Sequence, residues 1–424
     1  MNWKKLIAPL AALALLTVSA CSGGTGSSTA GGDGVPAGAT KEQYIAALAD
    51  MKPVEYTVQL TSGPDSHYSA APLAWTKAVE EWSGGKIKFN VLYSASRVST
   101  RDMEKAMSEG LVDMGQHVSA FNPDTFKVAD YASQAMYLHQ TSPVVGSLQM
   151  AGAWIEFGAT NKALREELQA NDVQPLLPTV PTGSAVIMCN GQQATSLPEF
   201  AGKQVRPSTK GQAEQLAALG ATSVDVPTQE LYQSFQRKVI DCGALSLATS
   251  QVLGLAEVTT DWTVDHEVQL TGTPVGWSMS KSRYDELPLA ARQLLWDRAD
   301  VYIQAHIEST MFATYADAVS EAKAHHVKFH EFQPDARAAL TQYFDKKTAE
   351  LPSKAPAGVD GQAFIGDLKA SHDKWRAEAE QLGYGQANTT WSDIDTYVKS
   401  GQLNVKPFVD KIVADDIVPN RPTK

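Results

Sequence analysis

The chain is short of basic residues: 36 Lys and Arg face 47 Asp and Glu, a formal charge of −11 over 424 residues. That balance argues against a nucleic-acid partner and against capture of anions by a broadly positive surface, so an anionic ligand must be held locally. Catalytic signatures are missing too. There is no HExxH, no phosphate-binding glycine loop and no Gly-x-Ser-x-Gly elbow, which Gly276-Trp277-Ser278-Met279-Ser280 misses by its final residue. His325, His326 and His330 lack a carboxylate or thiolate at ligand spacing and read as solvated side chains, so no metal is expected. No pair of carboxylates can be assigned to acid and base work from spacing, and nothing argues for an enzyme or a cofactor.

Also lacking is an apolar run long enough for a permanent membrane span. Leu6 to Val18 follows Lys4 and Lys5, is too short and wrongly flanked, and marks residues 1–20 as a secretory signal peptide. It ends Val18-Ser19-Ala20-Cys21, which resembles a bacterial lipobox. By that resemblance Cys21 carries lipid after cleavage, tethering the chain to a membrane, with a plain secreted protein as the alternative. The Gly- and Ser-rich stretch that follows has nothing to fold around, and residues 21–53 are assigned to a tether. Only Cys189 and Cys242 remain, an even pair at predicted strand ends in an exported chain, which points to a disulfide; two buried free thiols are the alternative.

What is present is an apolar content of 43%, enough for a sizeable core divided into two lobes. Strand patterns at Tyr56 to Ser62, Lys86 to Val91 and Val112 to His117 alternate with helical ones, which implies an α/β fold with mainly parallel sheets and flanking helices. Crossings between lobes are expected near Pro181 to Gly183 and near Gly272. Lobe I then takes 54–182 and 272–312, lobe II takes 183–271 and 313–351, and 352–424 forms a helical C-terminal extension. Residues 289–333 contain no Gly or Pro, and a helix from Leu289 to about His325 would be about 55 Å long, enough to span both lobes.

The stretch from Leu197 to Ser246 carries the functional signal. Gln204-Val205-Arg206 reads as a short strand stopped by Pro207, which leaves Arg206 at a strand tip, where open α/β sheets bind ligands. A helix from Lys210 to Leu219 follows, then one with Thr228 as N-cap candidate and Glu230 in its first turn, then a strand at Val239 to Gly243. Leu197-Pro198-Glu199-Phe200-Ala201-Gly202-Lys203-Gln204-Val205-Arg206, Ala217-Ala218-Leu219-Gly220-Ala221, Glu230 to Gln236 and Ile240-Asp241 together resemble the solute receptors of tripartite ATP-independent periplasmic (TRAP) transporters. So do Ser83-Gly84-Gly85-Lys86-Ile87 and Met107 to Met114, and the resemblance runs from about Val54 to Leu351.

The resemblance implies a two-lobed periplasmic-binding-protein fold that closes on a small organic acid and delivers it to TRAP membrane subunits. It makes Arg206 the carboxylate clamp, Glu230 and Tyr232 its support or lining, Trp277 a cleft wall, and His67 and Gln116 contacts from lobe I. Sialic-acid receptors of the family have a second arginine where Ser184 aligns, and many relatives have Gln-Glu-Asn-Pro where this chain has Gly243-Ala244-Leu245-Ser246. Both departures suggest a less polar acid. A binding lipoprotein of an ATP-driven importer and a sensory ligand-binding protein are the alternatives.

Overall fold

The computed structural model describes residues 34–423. The segment expected to be a signal peptide, Cys21 and the Gly- and Ser-rich stretch after it lie outside the described residues. Among these, no helix is long and apolar enough to cross a membrane.

The strands are β1 (Val54–Gln59), β2 (Ile87–Leu92), β3 (Met114–His117), β4 (Val173–Pro181), β5 (Ala185–Cys189), β6 (Gln204–Arg206), β7 (Thr222–Ser223), β8 (Cys242–Ser246), β9 (Asp261–Thr263), β10 (Pro274–Ser280) and β11 (Lys328–His330). They form two sheets, β2-β1-β3-β10-β4 in lobe I and β11-β9-β5-β8-β6-β7 in lobe II. Both are mixed, where mainly parallel sheets were expected. β10 runs antiparallel to β3 and β4, and β5 runs antiparallel to β8 and β9. These two strands are the ones that follow a crossing, so each enters its sheet from the far side. β4 keeps nine buried residues despite Pro175, Pro178 and Pro181 because it is an edge strand, where a missing N–H costs least.

The crossings lie side by side. Gly183 has φ +105, and a Cβ there would stand 2.6 Å from the Tyr315 hydroxyl. At Gly272 a Cβ would stand 2.2 Å from the Gly183 carbonyl oxygen, so neither position has room for a side chain.

The spanning helix is a chain of four segments. Leu289–Asp297 and Ala299–Ala305 meet at a break at Arg298, a π-helical stretch covers His306–Ala313, and Thr314–Ala324 completes it. At the break the Arg298 guanidinium lies 3.6 Å over the Trp82 ring. The π stretch is where the helix passes the crossings: His306 Nε2 meets the Pro181 carbonyl at 2.8 Å, and the Thr310 hydroxyl donates to the His67 carbonyl at 3.0 Å.

Two assignments change at the chain ends. Residues 34–53 were given to the tether, but Thr40 caps the helix Lys41–Ala47, and Tyr44 and Leu48 are fully buried. An amphipathic turn in a low-complexity neighbourhood hid this. The extension packs on lobe I: its helix Gly361–Gln381 lays Trp375 against Gly152, where even a methyl group would clash with the indole. Arg421 then bonds Asp297, Tyr44 and the Val35 carbonyl, so both ends of the fold meet on one carboxylate.

The lobe II strand expected at Val239 to Gly243 begins later, at Cys242, because Lys238 turns the chain with φ +57. Cys242 therefore sits directly opposite Cys189 in the antiparallel pair of β5 and β8, and the two are bonded. The bond closes a loop across 53 positions, for which chain-entropy reasoning gives roughly 2–4 kcal/mol of stabilisation. Reduction, or Cys189→Ser with Cys242→Ser, is expected to lower the urea-unfolding free energy by about that amount. An unchanged midpoint would mean that native-state strain or residual structure in the unfolded chain offsets that gain.

Candidate functional site

Arg206 ends β6 and is 8% exposed. Its Nε donates to the Val226 carbonyl at 3.1 Å, Nη1 to Ser208 Oγ at 2.6 Å and Nη2 to Thr228 Oγ1 at 3.0 Å. Among the described residues no carboxylate forms an ion pair with it. Burial depresses the guanidinium's proton affinity, with exposed Asp225 opposing at longer range. Three of five N–H groups are spent, one on each nitrogen, leaving one free on each Nη, the pair a carboxylate takes bidentately.

The cradle is itself braced. Ser208 Oγ donates onward to the Ala244 carbonyl, and the Ser208 backbone donates to Gln212 Oε1 at 2.6 Å. Gln212 and Gln215, both buried on the helix Lys210–Ala218, bond Thr271 beside the return crossing. Arg206 is thus tied to the crossing through hydrogen-bonded side chains.

The remaining expected residues do not gather round it. Glu230 is exposed and makes no side-chain hydrogen bond or ion pair among the described residues. Tyr232 turns away to Glu257, 2.7 Å from its hydroxyl. The local reason is that Thr228–Glu230 is a 3-10 turn ahead of the helix Leu231–Gln236, and Thr228 serves Arg206 instead of capping. Trp277 does not wall a cleft. It is fully buried between Trp75 and Tyr302, each 5.5 Å away by ring centroid. His67 spends both ring nitrogens on the spanning helix, at Ser309 and Asp317, each 2.9 Å away. Gln116 is buried in β3, where its Oε1 accepts from Thr61 and its Cα pairs with Trp277.

Ser184 stands between the lobes and shares a 2.8 Å hydrogen bond with His139 Nε2. Around it converge residues that reading the chain in order did not select. Tyr68, the second residue of the helix His67–Trp82, has its phenol pushed up by burial, with Thr182 at the first crossing and Ser246 at the end of β8 opposing. Tyr315 adds a buried hydroxyl beside Gly183. His139 and His372 stack 6.2 Å apart, and burial pushes them down to about 4 and about 3. A depression of about 580 Å³ by Lys203 and Asp241 is open surface at the start of β6, away from Arg206.

Two lobes joined by paired crossings, with one unneutralised buried cation at the strand ends beside them, define a two-lobed solute-binding receptor. The chain belongs to the bacterial extracellular solute-binding proteins, family 7 (DctP), whose family model matches residues 59–354. It is 25% identical over 244 residues to the ectoine-binding periplasmic protein TeaA of Halomonas elongata, a match spanning 53% of this chain and 66% of that protein. Its fold is similar to a marine-metagenome TRAP solute-binding protein specific for aromatic acids, from an unidentified microbe and solved with 3-hydroxybenzoate. That likeness has a TM-score of 0.66 at 18% identity, over 76% of this chain and 99% of the other. A Rhodoferax ferrireducens TRAP solute-binding protein with copurified benzoate gives a TM-score of 0.64 at 19% identity, over 77% and 99%.

The buried imidazoles carry a pH dependence. His139 and His306, both pushed down to about 4 by burial, and His372 at about 3 stay neutral in the native chain, while unfolding returns them to the usual value near 6.5. Below pH 6.5 the unfolded chain binds protons that the native chain refuses, so their contribution to stability falls as pH drops from about 6.5 towards 4. Asp416, pushed up to about 7 by burial, acts the other way, losing its contribution as pH rises towards 7. Raised carboxyls at Asp130, Glu167, Asp300 and Glu321 side with Asp416, while carboxylates held low by hydrogen bonds, such as Glu199 and Asp395, side with the three histidines, and acidification is expected to be destabilising. Thermal melts at pH 6.5 and 4.5 are expected to show a lower Tm at the lower pH, with a smaller drop in His139→Gln, whose amide can still bond Ser184.

Proposed function

We propose that this chain is an extracytoplasmic receptor that holds a small organic acid on Arg206 between its lobes and delivers it to TRAP membrane subunits. The observation that carries this is the buried guanidinium with only neutral acceptors and two N–H groups to spare. A cation in that position is costly until an anion arrives, so a carboxylate gains both a charge-assisted bidentate bond and relief of an existing penalty. Membership of a solute-binding family and similarity to receptors solved with benzoate and 3-hydroxybenzoate support the same reading. Binding that bridges both lobes favours their closed arrangement by being tighter there.

Lipid on Cys21 would hold the receptor at the membrane, outside the cytoplasm. Glu230, Tyr232, Trp277, His67 and Gln116 have no direct part in this scheme; Ser208 and Thr228 take the supporting role.

Calorimetric titration with benzoate, hydroxybenzoates and short-chain acids is the test. Arg206→Ala should weaken the best carboxylate by about 2–5 kcal/mol, roughly 30-fold to several thousand-fold, while remaining folded. Undiminished binding by that variant would rule out the clamp. In cells, Cys21→Ala should move the chain from the membrane to the soluble fraction.

A further inference from the structure

Beyond residue 354, where the family match ends, the chain continues to Lys424 and grips the spanning helix on both sides of its π-helical stretch. On the near side the Trp296 indole donates to the Ile417 carbonyl at 2.6 Å and Arg421 Nε donates to Asp297 at 2.8 Å. Lys406–Ile412 and Val413–Ile417 pack there on Ala299–Ala305. On the far side the short helix Ile394–Lys399 packs on Thr314–Ala324, with Ile394 fully buried. Lys323 Nζ donates to Asp395 Oδ1 at 2.7 Å, and Lys399 Nζ donates to Ser320 Oγ at 2.6 Å and lies 3.5 Å from Asp317. Between the two grips the Trp391 indole donates to the Thr141 carbonyl at 2.7 Å, and its ring meets Tyr315 edge-on with centroids 5.7 Å apart. From Trp296 to Lys323 the helix covers about 40 Å at 1.5 Å per residue.

The extension is itself fixed to lobe I. Its helix Gly361–Gln381 lies along the helix Val145–Thr160, where Trp375 and Lys374 donate to the two Glu156 oxygens at 2.7 and 2.9 Å, and Gln149 donates to the His372 carbonyl at 3.0 Å. The last segment of the spanning helix, by contrast, packs against Leu247–Leu253 of lobe II. Between these two attachments lies His306–Ala313, and π-helical turns are where long helices bend. Bracing lobe I alone would not require the extension to reach past that stretch.

We propose that the C-terminal extension is a splint across the hinge: fixed to lobe I, it holds the part of the spanning helix that carries lobe II and so restricts the angle between the lobes. Buried Ile394 and Trp391 supply the grip. The ionic contacts, being partly exposed, add little singly and set the register. Any rearrangement of the lobes about the π stretch then has to work against this contact, which makes the extension a control on how often the binding-competent arrangement is reached. The proposal does not depend on what Arg206 binds.

The test is double electron–electron resonance between spin labels at Leu111→Cys on lobe I and Val252→Cys on lobe II, both exposed positions, in the full chain with Cys189 and Cys242 bonded and no ligand added. The unaltered chain should give one narrow distance distribution. Asp395→Ala combined with Lys399→Ala, or Trp391→Ala, should raise a second distance about tenfold in population in at least one of the two. Lys406→Ala, which breaks only a pair with Asp410 inside the extension, should change nothing. In the same variants amide exchange over His306–Ala313 should quicken about tenfold while the helix Val145–Thr160 keeps its rate.

An unchanged distribution in the folded variants overturns the proposal, as does a broad one in the unaltered chain or in Lys406→Ala. So does exchange that quickens evenly through lobe I, which would mark an ordinary loss of stability. If Trp391→Ala fails to fold, the Asp395 and Lys399 pair decides alone. Because no ligand is used, failure here leaves the Arg206 clamp untouched.

Discussion

A guanidinium taken out of water and surrounded by neutral acceptors is the constraint on which the rest of this structure turns. Arg206 is buried, yet its partners are a carbonyl, two hydroxyls and no carboxylate among the described residues. A buried cation without a counter-ion weakens a fold unless other interactions hold the site in place. Here those interactions can be traced outward: Ser208 rests on Ala244 and Gln212, and Gln212 and Gln215 rest on Thr271 beside the return crossing. The arrangement keeps two N–H groups ready without letting the side chain find a partner of its own.

The crossings supply the mechanical side. Gly183 and Gly272 touch backbone to backbone, which fixes where the two connections lie. The helix that spans the lobes is π-helical over His306–Ala313, where it meets Pro181 and His67, so its hydrogen-bond ladder is least regular at the level where the lobes would hinge. The N-terminal segment and the extension brace lobe I, through Arg421 on Asp297 and Trp375 on Gly152, and the extension's Asp395 also holds Lys323 on the last segment of the spanning helix.

How much of this could be read in the amino-acid order varies with distance in the chain. Arg206 was legible because a proline stops its strand, and the crossings because glycines and prolines gather there. The cysteine pair was legible as an even remainder, although its strand was placed three residues early, since nothing local signals the left-handed turn at Lys238. Glu230 and Tyr232 misled because a helix beginning at Thr228 would carry them towards Arg206, whereas a 3-10 turn precedes the helix and leaves them at the surface. Trp277 and Gln116 were placed at the cleft although both sides of β10 are covered, so its aromatic belongs to the core, and Gln116 is buried in β3. His139, Ser184 and Tyr315 could not be grouped from spacing. They are far apart in sequence and come together only because the chain crosses the seam there and the spanning helix passes it.

The most direct test is a crystal structure of the chain with the tightest-binding carboxylate from a ligand screen. The account predicts both carboxylate oxygens about 2.7–2.9 Å from Arg206 Nη1 and Nη2, with Ser208 and Thr228 still in place behind them. A carboxylate seated elsewhere, with Arg206 still satisfied by its neutral partners alone, would contradict it.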